Sequence, residues 1–300
     1  MRIRPSIVVL LAAAFIAPLA PVAWAAQPAP IAFVRDGDLY SYRLGGHPHL
    51  LMETPARERA VAWAPDHRHL AFIARERRIG VLDLETGVSR SIARLPDRFD
   101  GNQALSWSPD GTRIAVAANN EFKSEGIWHL NGTVWTVGAD GSGLTKIVGD
   151  QGLVTGLGWM PDGQQLLAST EWPNGVELWD PDAPLGVIAF ADDGSDVHLV
   201  FETLASQLDV SRDGRRVTYR GWSRTCHACG EIWRMAADGS GAHWIAMPPG
   251  DMNGLLTPRF SPAGTRIAVV ASARRTSLWL MHADGSRLHR VLTDVGAIDW

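Results

Sequence analysis

From Ala60 onward, apolar positions alternate with polar ones on either side of short turns, and the same alternation returns five times. The copies are AVAWAPDHRHLAF from Ala60, ALSWSPDGTRIAV from Ala104, GLGWMPDGQQLLA from Gly156, QLDVSRDGRRVTY from Gln207 and TPRFSPAGTRIAV from Thr257. Each holds a large apolar anchor: Trp63, Trp107, Trp159, Val210 and Phe260. An aliphatic follows seven residues later: Leu70, Ile114, Leu166, Val217 and Ile267. A period of two across a four-residue turn predicts a β-hairpin. In SPDG, Pro109 presets φ, the Asp110 carboxylate can cap the turn backbone, and Gly111 accepts positive φ.

A second hairpin follows in each copy. Its turns are Asp140-Gly141-Ser142, Asp193-Gly194-Ser195, Asp238-Gly239-Ser240 and Asp284-Gly285-Ser286, with Thr86-Gly87 in the first copy. Four antiparallel strands in about 40 to 52 residues is one blade of a β-propeller. The chain ends on AIDW, a first strand with Trp300 at the anchor, while the segment from Ile31 supplies a second, third and fourth strand. The expectation is an all-β, six-bladed propeller closed by pairing the C-terminal strand with the N-terminal blade. Its blades are expected at about 60–103, 104–155, 156–206, 207–255, 256–296, and 297–300 with 31–59.

The motif W-S-P-D-G-x-x-I-A, followed by I-W and D-G-S, resembles the TolB-type β-propeller repeat. The resemblance covers residues 31–300. It implies the propeller fold and, by analogy alone, a role in binding proteins of the cell envelope. Only about five residues precede the first strand, so the α/β domain found before the propeller in TolB is not expected. The G-x-S-x-G elbow of the hydrolases that share this repeat is missing from the sequence.

The N-terminus changes the setting. Arg2 and Arg4, an apolar run from Ile7 to Ala20, and Ala23-Trp24-Ala25 read as a cleaved signal peptide over residues 1–25. The expected mature protein is periplasmic or secreted, without membrane insertion, and monomeric. A net charge of −4 argues against nucleic acid as a partner. Acidity is uneven: eleven Asp and Glu fall between Lys146 and Arg212 with no Lys or Arg among them.

Composition adds one anomaly, 13 Trp against 3 Tyr. Seven occupy repeat positions: Trp63, Trp107, Trp159, Trp300, Trp135, Trp233 and Trp279. Four others fall in insertions of blades two to four: Trp128, Trp172, Trp179 and Trp222. These insertions start at Asn119, Glu171 and Gly221 and are expected to thicken one face of the disc. Rings beside carboxylates there suit a sugar or a peptide, or simply pin the loops. The links between blades, expected on the same face, hold Arg59, Arg98, Asp100, Asn102, Asp150, Asp251, Asn253 and Asp294. Such convergent polar groups are a default ligand site.

Cys226 and Cys229 are the only cysteines. In an exported chain they are expected to form a local disulfide, since Gly230 excludes the haem motif and too few ligands accompany them for zinc. His47, His49, His67 and His69 read as exposed turn residues. No cofactor, metal site or catalytic group is assigned. The favoured reading is a non-enzymatic binding module for a protein or cell-envelope component. The alternative is a propeller enzyme (lactonase, lyase or glycan hydrolase) working at the central opening, with Asp100, Asp150, Asp251 and Asp294 as its carboxylates.

Overall fold

A computed structural model of the chain describes residues 29–53, 58–74, 77–96, 104–124, 127–149, 153–171, 186–203, 205–222, 230–250 and 252–300. The expected signal peptide, Trp172, Trp179, Arg98, Asp100, Asn102, Asp150, Asp251, Cys226 and Cys229 lie outside these residues.

The described chain is all β. The first strands are β1 (Ile31–Arg35), β2 (Asp38–Tyr42) and β3 (His49–Met52), followed by β4 (Ala60–Trp63), β5 (His69–Ala74), β6 (Arg78–Asp83) and β7 (Ser89–Arg94). Next come β8 (Leu105–Trp107), β9 (Arg113–Ser124), β10 (Ile127–Gly138) and β11 (Thr145–Val148). Then follow β12 (Leu153–Trp159), β13 (Gln165–Glu171), β14 (Gly186–Ala191) and β15 (His198–Glu202). The fourth and fifth repeats supply β16 (Ala205–Val210), β17 (Arg216–Trp222), β18 (Gly230–Ala236), β19 (His243–Ala246), β20 (Gly254–Phe260), β21 (Arg266–Ser272), β22 (Ser277–His282) and β23 (His289–Thr293). The last strand is β24 (Ile298–Asp299).

Four sheets are four-stranded, and one is eight-stranded. The eight-stranded sheet consists of two antiparallel halves, β16 to β19 and β20 to β23, joined through a single parallel bridge between Gly230 and Gly254. The terminal strand β24 pairs with β1, Ala32 facing Asp299 and Phe33 facing Ile298.

The hairpin register follows the sequence period. Trp63 faces Leu70, Trp107 faces Ile114, Trp159 faces Leu166, Val210 faces Val217 and Phe260 faces Ile267. Each spans a four-residue turn whose aspartate, where present, caps a backbone N–H two residues on: Asp66 Oδ1 to Arg68, Asp110 to Thr112, Asp162 to Gln164 and Asp213 to Arg215. The second turn repeats the device at 2.9 Å with Asp140, Asp193, Asp238 and Asp284.

Successive units are keyed together. Arg113 joins Asp192 of the next unit at 2.9 Å and lies 4.8 Å from the Trp159 ring centroid. At the outer rim, Gly194 (φ +84) and Gly285 (φ +86) rest on the outermost strand of the preceding unit. A Cβ at either would stand 1.8 Å from a carbonyl, that of Ile147 or Ile245. The core is divided accordingly, with clusters that each draw on two neighbouring units, such as Ile79, Leu95 and Trp107.

One expectation is redrawn. The segment from Asn119 was read as a loop insertion; the described part of it continues the hairpin, with β9 and β10 each twelve residues long and Trp128 paired to Lys123.

Candidate functional site

The residue immediately before each anchor lies next to the end of a first strand, or ends it in β24. In chain order these residues are Ala62, Ser106, Gly158, Asp209, Arg259 and Asp299. All six line one cavity of about 350 Å³, together with the four anchor indoles and turn residues such as Pro65, His67, Pro109 and Arg212. The two ends of this series differ in chemistry. Three consecutive positions are small and uncharged, and the other three are charged.

Two of the three charged positions follow a backbone irregularity. Strands β16 and β20 carry bulges between Ser206 and Asp209 and between Leu256 and Arg259. Gln207 (φ 53) and Thr257 (φ 44) take the left-handed conformation inside them. A bulge re-aims the residues that follow it. The two bulges are tied to each other, Thr257 N donating to Gln207 Oε1 at 3.0 Å. Asp209 Oδ2 accepts the backbone N–H of Phe260 at 2.8 Å, and Asp299 Oδ2 that of Trp63 at 2.7 Å. Arg259 lies between them in sequence and chemistry. Its Nε is 3.4 Å from Asp299 Oδ1, and its Nη1 donates to the Pro258 carbonyl at 2.9 Å.

These charges are poorly hydrated, their side chains being 13% exposed for Arg259 and 21% for Asp299. They line the cavity and are partly screened from solvent by the protein around them. Burial therefore pushes the Asp209 carboxyl up to about 7; the charge of Asp299 adds to that, while Arg259 and the Phe260 N–H oppose it. Burial raises Asp299 too, against the pull of Arg259 and of the Trp63 and Trp300 N–H groups. Two carboxylates share one guanidinium, and that is not enough to hold both fully ionised. His67 is held below the ordinary histidine range by burial and then by the positive charge of Arg212.

The indoles also differ. Trp107 Nε1 donates to the Ala62 carbonyl at 3.0 Å, and Trp159 Nε1 to that of Ser106 at 3.3 Å. The buried Nε1 of Trp63 has no acceptor among the described residues.

Comparison with known proteins locates this arrangement. No family model matches the chain, and no curated protein does. Among solved structures, TolB from Acinetobacter baumannii superposes with a TM-score of 0.68 at 18% identity, over 90% of this chain. A putative TolB from Agrobacterium tumefaciens gives 0.66 at 18%, over 90% of this chain and 91% of that one. The fold is that of a TolB-like β-propeller. The chain spans 65% of the length of the Acinetobacter TolB. A gluconolactonase from Xanthomonas campestris shares the propeller more distantly, with a TM-score of 0.56 at 16% identity, over 82% of this chain and 78% of that one.

Within the TolB-like propeller, the described members of the expected mouth do not line the cavity. Arg59 is exposed, and its N–H donates to Ile73. Asn253 donates its backbone N–H to Ser272. Asp294 pairs with Arg275 at 3.4 Å, and its carbonyl accepts from Arg35 at 3.1 Å. Trp128 lies on β10, and Trp222 ends β17 opposite Gly230. Both sit at the ends of strands remote from the first-hairpin turns that rim the cavity. Asp209, Arg259, Asp299 and His67 had not been singled out as site residues. The signal that marks the first three was available, since the residue before the anchor changes from small to charged along the copies. His67 was read as an exposed turn residue. It takes the place of the turn glycine of the other copies at φ 53, and its ring lies 6.0 Å from that of Trp63.

Proposed function

We propose that this chain is an exported, periplasmic, non-catalytic propeller that binds a protein or envelope component, with the axial cavity as the seat. In this reading the eight-stranded sheet is two blades. With the four other sheets it makes six, and the β24–β1 pairing closes the ring. The TolB-like fold and the leader-like N-terminus support the cellular setting.

The observation that carries the reading is the contrast within one ring of equivalent positions. A scaffold built from repeats needs no Asp, Arg and Asp on three adjacent blades beside Ala, Ser and Gly on the rest. Buried charge is costly to keep unless it serves recognition or specificity. Both carboxylates already hold an inter-blade N–H, a positioning duty that favours binding over proton transfer or nucleophilic attack. The four insertion tryptophans, Trp128, Trp172, Trp179 and Trp222, are a second candidate contact surface in this proposal.

The test is capture from envelope extract, followed by direct binding of the captured component. Ser106→Phe plugs the cavity from its small-residue side. The expected result is loss of the component from the plugged variant, with the variant's melting curve unchanged. Retention of the same component at the same affinity overturns the reading.

A further inference from the structure

A second cleft lies between the fourth and fifth repeats and shares no lining residue with the axial cavity. Its volume is about 490 Å³, and its charged lining is Arg216, Arg234, Arg266 and Asp284, with His282 beside them. Arg216 and Arg234 lie on β17 and β18, Arg266 opens β21, and His282 ends β22. The Asp284 carboxylate is engaged by its own turn, accepting the Ser286 N–H at 2.9 Å. None of the three arginines forms an ion pair among the described residues. Three guanidiniums thus face one carboxylate, a surplus of two positive charges.

The second and third repeats show what balances such an arginine elsewhere. Arg113 precedes the inner aliphatic Ile114 as Arg216 precedes Val217. Arg113 Nη2 donates to the Gly163 carbonyl at 3.3 Å, and the guanidinium lies 4.8 Å from the Trp159 ring centroid. Arg216 repeats both contacts, at 3.1 Å to the Gly264 carbonyl and 5.5 Å to the Phe260 ring centroid. Arg113 also pairs with Asp192 at 2.9 Å. In the fifth repeat the residue at that place is Ala283. The backbones correspond, Asp192 N donating to the Gln164 carbonyl and Ala283 N to that of Thr265, each at 2.9 Å. The arginine is retained and the acid is not.

The turn aspartates do not make up the difference. Asp213 stands to Arg216 as Asp110 does to Arg113: each carboxyl is held low first by its serine, Ser211 or Ser108, and less by the arginine. A further positive charge is instead brought to the same place, Arg234 Nη1 donating to the Ala283 carbonyl at 2.7 Å. The counterparts of Arg234 in the second, third and fifth repeats are Thr136, Ala189 and Leu280.

We propose that this cleft binds a phosphate monoester group, held by Arg216, Arg234 and Arg266. One carboxylate answers one arginine, as Asp192 does for Arg113. A surplus of two calls for a dianion, and a phosphate monoester carries about −1.5 to −2 charges and three acceptor oxygens on one centre. Planar guanidinium forks offer paired N–H donors to neighbouring phosphate oxygens. Arg216 and Arg234 are already held by carbonyls of the fifth repeat, so little side-chain freedom is lost when the anion arrives.

The probe is inorganic phosphate, titrated calorimetrically into the purified protein against chloride at equal ionic strength. Glycerol 3-phosphate and malonate are parallel arms. The expected result is saturable binding of phosphate, weakened at least about tenfold in Arg234→Gln and in Ala283→Asp and unchanged in Ser106→Phe. Ala283→Asp installs beside Arg216 the acid that the third repeat carries. Thermal melts check folding, and Arg234→Gln decides if Ala283→Asp melts early. Tighter binding of glycerol 3-phosphate than of free phosphate upholds the site and shows that the group arrives on an organic stem. Equal binding of the two upholds it with the free anion as ligand. No saturable binding of phosphate, equal affinity in the parent and Arg234→Gln, or tighter binding of malonate than of phosphate overturns the inference. The axial seat is tested separately by capture and survives that failure.

Discussion

The carboxylate of Asp299, one residue from the C-terminus, accepts the backbone N–H of Trp63 at 2.7 Å across 236 positions of chain. The two ends of the repeat array are thus held by a side chain that also lines the cavity. Asp299→Ala removes the acceptor and leaves a buried N–H and Arg259 without their partner. It is expected to cost about 2–4 kcal/mol in urea denaturation. Asp299→Asn keeps an oxygen for Trp63 N and is expected to cost less than half as much. Equal losses for the two variants would show that charge, not the hydrogen bond, is what matters.

Asp209 makes stability depend on pH in an unusual direction. Its folded pKa, about 7, lies above the ordinary carboxylate value that it regains on unfolding. Between those values the native state holds a proton that the unfolded chain has released. Its contribution therefore favours the native state below pH 4 and is lost progressively up to pH 7. Asp209→Asn should raise the melting temperature at pH 8, by a few kcal/mol of stability, and change it little at pH 4. The comparison of variant with wild type at each pH cancels the turn aspartates, which are held low by their own hydrogen bonds and act only in more acidic solution.

The indole ladder predicts unequal costs for the same substitution. Trp107→Phe deletes a bond to the Ala62 carbonyl, whereas Trp63→Phe deletes an N–H that has no acceptor among the described residues. The first should cost about 1–2 kcal/mol more than the second in paired chemical denaturations.

Deleting residues 298–300 should be out of proportion to its size. It removes β24, two buried side chains in Ile298 and Trp300, and the bond from Trp300 Nε1 to Ala29. Burial of the two side chains alone is worth roughly 3–6 kcal/mol. A truncated chain that melts within a few degrees of the parent would remove the case for a closed ring.

Much of the architecture could be read from residue types because hairpins encode themselves locally. The seven-residue spacing from Trp63 to Leu70 is a register, and a register is what a turn of fixed length imposes. The cavity was less legible. Aligned copies draw attention to what stays constant, namely the tryptophans and glycines, and those serve the fold. Asp209, Arg259 and Asp299 occupy the position that varies, and nothing in the hydrophobic period says that it lines a cavity, or that a bulge precedes the first two. His67 illustrates the same difficulty, since a residue in a glycine's place reads as surface until the turn is seen to fold it against Trp63. The extension of the β9–β10 hairpin was missed for the opposite reason, its polar run from Asn119 obscuring strands that simply continue.

Gly194 and Gly285 sit at the circumference, yet their influence reaches the axis. At each, a Cβ would meet the backbone carbonyl of the neighbouring sheet, so a methyl group there would force the two sheets apart. The strands at the opposite edge of those sheets are the cavity wall. A side chain at either glycine would therefore disturb the cavity from a distance. Selection on what fits inside can act on residues that no ligand ever touches.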